Sequence, residues 1–161
     1  MGTGGRGRDG LGVPMDAEEA RARFSGCRVA RLATADAAGR PHLVPCTFAV
    51  AGDLIYTAVD HKPKRTRDLR RLRHIRENPH VSLLADHYEE DWDRLWWVRA
   101  DGRARVLDDE PGESADQVRR AALVLLARRY EQYRDRPPEG PVIEIAVERW
   151  SGWAASAPRR R

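Results

Sequence analysis

The chain has 161 residues, 41% hydrophobic and 34% charged, which suits one compact domain. Of its 66 apolar residues 22 are alanine, and Leu, Ile, Val and Phe number only 31, so the core is thin and a partner subunit is expected to complete it. The net charge of +4 sits at the ends, +1 in residues 1–14 and +3 in Arg159–Arg161, so no uniformly basic nucleic-acid surface is expected.

Two cysteines, Cys27 and Cys46, exclude a disulfide framework and a four-ligand zinc site. No apolar run approaches the roughly 20 residues of a membrane span. The Gly/Arg-rich start lacks a hydrophobic segment, so no export signal is read and a cytoplasmic location is expected. The expected organisation is a disordered leader over 1–14, a single domain over 15–157 and a basic tail over 158–161.

In chain order, Asp16 with Glu19 resembles a capping box opening a short helix that ends near Ser25. Strand-like runs follow at 28–34, 43–51 and 53–59, separated by the turn signals Asp36-Ala37-Ala38-Gly39 and Ala51-Gly52-Asp53. In the second run Val44, Cys46, Phe48 and Val50 share one face. Pro45 interrupts it and marks an edge, a bulge or a place where the sheet splits.

Residues 65–77 read as a basic helix with Leu69, Leu72 and Ile75 spaced three apart, ended by Asn78-Pro79. A strand is predicted over 80–86, then an acidic aromatic loop over 87–93. A long strand over 95–107 is interrupted by Asp101-Gly102, either a hairpin turn or a bulge in one bent strand. Trp96 and Trp97 point to opposite faces of it. Ser114 with Gln117 predicts a capping box and an amphipathic helix to about Arg134, with Val118, Ala122, Leu125 and Tyr133 inward. After the stiff connector 136–141, a last strand over 142–150 buries Ile143, Ile145 and Val147 and exposes Glu144 and Glu148. Six strands joined mostly by tight turns predict an antiparallel sheet or barrel with flanking helices.

No nucleotide-binding glycine fingerprint, phosphate loop or nucleophile elbow is present, and the five histidines show no ligand spacing. An enzyme of this sequence would therefore rely on a cofactor. The richest segment is 56–69. It contains the only lysines, Lys62 and Lys64, in a chain whose other 27 basic residues are arginine. Together with Arg65 they precede a helix start, which suits a phosphate or another anionic tail.

Three stretches carry a family resemblance: Arg28-Val29-Ala30-Arg31-Leu32-Ala33-Thr34, Gly39-Arg40-Pro41-His42-Leu43-Val44-Pro45, and Trp97-Val98-Arg99-Ala100-Asp101-Gly102-Arg103-Ala104. With the basic loop, they resemble the pyridoxamine 5′-phosphate oxidase-like (PPOX-class) superfamily of flavin and deazaflavin oxidoreductases. Asp60-His61-Lys62-Pro63-Lys64-Arg65 and the run 91–99 are similar to an actinobacterial-type subfamily described as using the deazaflavin coenzyme F420. The resemblance implies a six-stranded antiparallel split β-barrel and a homodimer with two cofactor sites at the subunit interface. The Asp101-Gly102 pair would then be a bulge.

By the same resemblance, Val44, Pro45, Cys46 and Thr47 line the cofactor ring, and Tyr56, Thr57 and Ala58 flank the linker to the phosphate. Lys64 and Arg65 hold that phosphate with Lys62 nearby. Trp97 and Arg99 come from the second subunit, and Trp153 closes the site. The substrate-phosphate residues of pyridoxamine oxidases proper have no match, so the implied activity is hydride transfer between reduced coenzyme F420 and a small unsaturated organic acceptor. An FMN-dependent enzyme and a non-catalytic flavin-binding protein are the alternatives. No catalytic residue is assigned. Tyr56 and His61 are candidate proton donors, and solvent could serve.

Overall fold

The computed structural model describes residues 12–59 and 70–156. Its strands are β1 (Val13–Met15), β2 (Ala30–Ala35), β3 (Pro41–Cys46), β4 (Ala49–Ala51), β5 (Leu54–Ala58), β6 (His80–His87), β7 (Trp96–Val106) and β8 (Val142–Ala154). They form one antiparallel sheet in the order β3-β2-β6-β7-β8-β5-β4, with β1 added along β8. The helices are α1 (Ala17–Gly26), α2 (Arg70–Glu77), α3 (Glu113–Arg129) and α4 (Glu131–Asp135).

Eight strands stand where six were expected, for two reasons. Val13 and Pro14, assigned to the leader, pair with Ala154 and Trp153. The run 43–51 is also broken at Thr47-Phe48. Its two pieces, β3 and β4, lie at opposite ends of the sheet, so the chain crosses from one edge to the other in two residues. The curled sheet is thus closed by covalent chain rather than by a ladder, and Pro45 sits on the strand that leaves the seam.

Alternation sorts the side chains. Leu32, Ile55, Leu83, Val98, Ile143 and Ile145 are fully buried inside the curl. Phe24 of α1 joins them, its ring centroid 4.6 Å from that of Phe48 and 5.4 Å from that of Trp150. Burying a side chain of this size contributes about 1.5–3 kcal/mol. The predicted cap of α1 forms, with the Glu19 N–H donating to Asp16 Oδ1 at 2.8 Å. A second cluster, including Tyr56, Ala58, Leu126 and Tyr133, fills the space between the outer face of β4–β5 and helices α3 and α4.

The capping box at Ser114 does not form. The helix begins two residues earlier than that cap implies, after Gly112 at φ 112°, and no side chain caps it. Nor does it run to Arg134; it stops at Arg129, and Tyr130 is extended before the short α4. Long-range contacts account for the break. The Arg129 guanidinium donates to the Ser25 carbonyl at 2.6 Å and to the Cys27 carbonyl, while Tyr130 is tied to the β3–β4 link. Replacing Arg129 by leucine is expected to cost about 2 kcal/mol in denaturant unfolding, because two carbonyls at the C-terminal end of α1 lose their charged donor. An unchanged midpoint would dissolve the clamp.

Two further expectations are settled by register. β7 runs unbroken through Asp101-Gly102, so the pair is no hairpin turn, but its partner goes from Arg149 to Val147, which puts the extra residue of the bulge, Glu148, on β8 rather than on the expected strand. Glu144, expected outside, is only 7% exposed because it receives the Arg105 Nε–H at 2.8 Å. β8 also runs four residues further than predicted, so Trp153 is a strand residue.

Candidate functional site

The seam at Thr47-Phe48 interrupts the ladder, so its backbone groups need other partners. Tyr130 supplies them. Its hydroxyl accepts the Phe48 N–H at 3.1 Å and lies 3.0 Å and 2.9 Å from the carbonyl oxygens of Phe48 and Arg28, which share its proton. Beside it the Thr47 and Tyr133 hydroxyls are 2.8 Å apart. These groups form the floor of an open cavity of about 630 Å³ against α4.

Of the four residues assigned to a cofactor ring, Thr47 reaches this cavity. Cys46 is buried inside the curl, Val44 packs half-buried against the same core, and Pro45 is exposed. The three β5 residues divide between faces. Tyr56 and Ala58 face α3. Thr57, between them, faces the interior. Tyr56 lies beside Glu144, and burial together with that carboxylate pushes its phenol up to about 12. It therefore keeps its proton at neutral pH and is a poor acid. Because the folded value exceeds the ordinary one near 10, the neutral phenol's stabilisation is complete below pH 10 and is lost as pH rises towards 12. Stability should fall across that window, and Tyr56→Phe should flatten the fall; an identical fall in the variant would assign it to other groups.

His61, Lys62, Lys64 and Arg65 lie outside the described residues. On either side of their segment, Thr57 Oγ1 and Arg71 Nε are buried with no hydrogen-bond partner. An O–H and an N–H donor on either side, in sequence, of this basic stretch fit the phosphate of a phosphorylated cofactor.

Trp97, Arg99 and Trp153 lie together elsewhere, on the outer face of β7 and β8. Trp97 is directly opposite Trp153 in register, and the Arg99 guanidinium is 5.8 Å from the Trp97 ring centroid. Trp96 faces the other way, against the core. Arg99 Nε donates to Asp101 Oδ2 at 2.9 Å, and Ser82 Oγ donates to the other oxygen of Asp101. Register also adds Ser151, opposite Arg99, whose buried Oγ has no partner. The sequence reading missed it because an isolated serine in a strand carries no signal. One row across the outer face runs Pro45, Arg31, Leu84, Arg99. Three strand spacings of about 4.8 Å separate its ends, so Pro45 and Arg99 are about 14 Å apart along the sheet. One chain does not bring its two groups of expected site residues together.

A curled antiparallel sheet with a split seam, helices at its ends and this bulged long strand is a known arrangement. The family model described as pyridoxamine 5′-phosphate oxidase matches residues 17–154. The chain belongs to the pyridoxamine 5′-phosphate oxidase family. Among solved structures, a FAD-binding protein from Mesorhizobium loti is 23% identical, with a TM-score of 0.65 over 89% of this chain and 97% of that one. The FAD-binding protein from Mycobacterium smegmatis is 16% identical, with a TM-score of 0.53 over 87% and 97%. The haem storage protein HutZ from Vibrio cholerae is 19% identical, with a TM-score of 0.59 over 84% and 92%. These likenesses establish a shared fold. No curated protein matches the sequence. No helix among the described residues is long and apolar enough to cross a membrane.

Proposed function

We propose that the protein is a homodimeric flavin-type oxidoreductase whose cofactor lies between two copies, and that it uses coenzyme F420 to reduce a small unsaturated organic acceptor. The observation that carries this reading is the separation of the two residue groups on a chain of this family. The seam residues of one copy and the Trp97–Arg99–Trp153 face of another can share one flat ring, whereas one copy alone cannot. The outer sheet surface supports pairing, since Leu43 and Leu84 on it are 65% and 37% exposed, and Tyr88 and Trp92 in the adjoining β6–β7 connection are 65% and 77% exposed. Two structural relatives are named for FAD binding, which supports a flavin-type ring. The basic pair Lys62 and Lys64 suits the anionic tail of either FMN or the deazaflavin.

When bound, the reduced deazaflavin supplies a hydride to one carbon of the acceptor's double bond, its ring proton passing to solvent, which protonates the other carbon. The chain's own work is to bind and orient. Lys62, Lys64 and Arg65 hold the anionic tail, with Thr57 and Arg71 as further donors. Thr47 and the backbone of Val44, Pro45 and Cys46 border the ring edge. Trp97 and Trp153 cover the ring and exclude water, and Arg99 is kept in place by Asp101.

Protein made in a host without deazaflavin and then titrated with coenzyme F420 should bind it and oxidise its reduced form when an unsaturated acceptor is added. Substituting Lys62 and Lys64 together by alanine should weaken that binding at least tenfold and leave the thermal midpoint unchanged. Copurified FMN with no affinity for the deazaflavin would replace the cofactor assignment. A monomer by light scattering would end the shared-site reading.

A further inference from the structure

The cavity beside the seam has a chemistry that anchoring a cofactor ring does not explain. Its rim carries two arginines, Arg28 and Arg136, and no lining residue is acidic. Among the described residues neither guanidinium makes an ion pair, although Arg21, Arg31, Arg40, Arg76, Arg94, Arg99, Arg105 and Arg119 all do. Arg28 lies over the Tyr130 ring, 4.9 Å from its centroid, which holds the guanidinium against another lining residue. The same lining includes Val29, 44% exposed, the Tyr133 ring and the Thr47–Tyr133 hydroxyl pair.

An exposed valine and tyrosine rings lining one cavity with two planar cations that make no ion pair select a flat apolar body with a negative head. The guanidinium fork matches a carboxylate in two parallel hydrogen bonds. The volume, about 630 Å³, lies in the range of small-molecule sites and is generous for a molecule of ten to fifteen atoms. The geometry points to this cavity as the binding site of an α,β-unsaturated or aromatic carboxylate, held by Arg28 and Arg136 over Val29 and Tyr133. This deepens the proposed function and rests on it for one step: Thr47 borders both the cavity and the expected ring edge, so the bound carboxylate is the acceptor.

Cinnamate and cinnamamide are suitable probes, since they share a body and differ in charge. Calorimetric titration of the protein without cofactor should show cinnamate binding at least tenfold more tightly than the amide. Arg28→Ala and Arg136→Ala should each weaken cinnamate about tenfold and leave the amide unaffected. Arg28→Lys should recover only part of the loss, because an ammonium lacks the fork. Arg149→Ala, away from the cavity, should change nothing, and thermal unfolding of each variant verifies the fold. Equal affinity for acid and amide, or arginine variants that bind cinnamate normally, would overturn the site. The two proposals fail separately. Arginine-dependent cinnamate binding by a protein that accepts no flavin or deazaflavin keeps the cavity and removes the oxidoreductase. Acceptor reduction whose KM ignores Arg28 and Arg136 does the reverse.

Discussion

Gly102→Ala is expected to remove about 3 kcal/mol of stability and to lower the thermal midpoint by about 6–12 °C. The bulge brings β7 so close to β8 that a Cβ on Gly102 would lie 2.2 Å from the Ala146 carbonyl oxygen and 3.0 Å from the Val147 Cα. Both are backbone atoms, so no rotamer change relieves the clash. Either the two longest strands separate or the bulge moves, and a one-residue shift would turn the Trp97–Arg99 face inward. Gly26→Ala is the control, since nothing lies within 4 Å of its added carbon at the end of α1. It should be neutral or stabilising by up to about 1 kcal/mol. A Gly102→Ala protein that unfolds with wild type in guanidinium would show that the bulge relaxes and that this position does not set the register.

Tyr130→Phe is expected to cost about 2–3 kcal/mol although it keeps the ring and removes one atom. That atom accepts the Phe48 N–H and serves the carbonyls of Phe48 and Arg28 at the only break between β3 and β4. The phenylalanine ring would leave these buried groups unpaired, and a buried unsatisfied backbone group costs about 1–3 kcal/mol. The Phe48 amide should exchange with solvent at least tenfold faster, with amides in the centre of β7 changing only as far as global stability does. Unchanged exchange at Phe48 would mean that water or a neighbouring group holds the seam.

Local chemistry made part of this architecture readable. The Asp16 cap, the inward Ile143 and Ile145 of β8, the opposite faces of Trp96 and Trp97, and the break signalled by Pro45 all depend on neighbours in sequence. The failures depend on distant partners. Tyr130 ends α3 through bonds to residues more than eighty positions away, and nothing in its own segment announces that. Glu144 is buried because Arg105, one strand across, meets it. The site was legible as residue types, and Thr47 does reach a cavity. Its division between two faces was implied by family likeness and emerges physically only from the strand order. Ser151 and the Arg28–Arg136 pair became visible only through register and shared lining.

Pro41 and Pro45 occupy alternate positions of β3, the first strand of the sheet. Residues two apart direct their amides to the same side, and a proline nitrogen has no hydrogen to give. The ladder to β2 therefore uses His42, Val44 and Cys46, while the outer margin keeps one donor, Leu43, in place of three. An incoming strand would find three carbonyl acceptors there but a single amide donor, so growth into fibrils by margin-to-margin addition is blunted at this end.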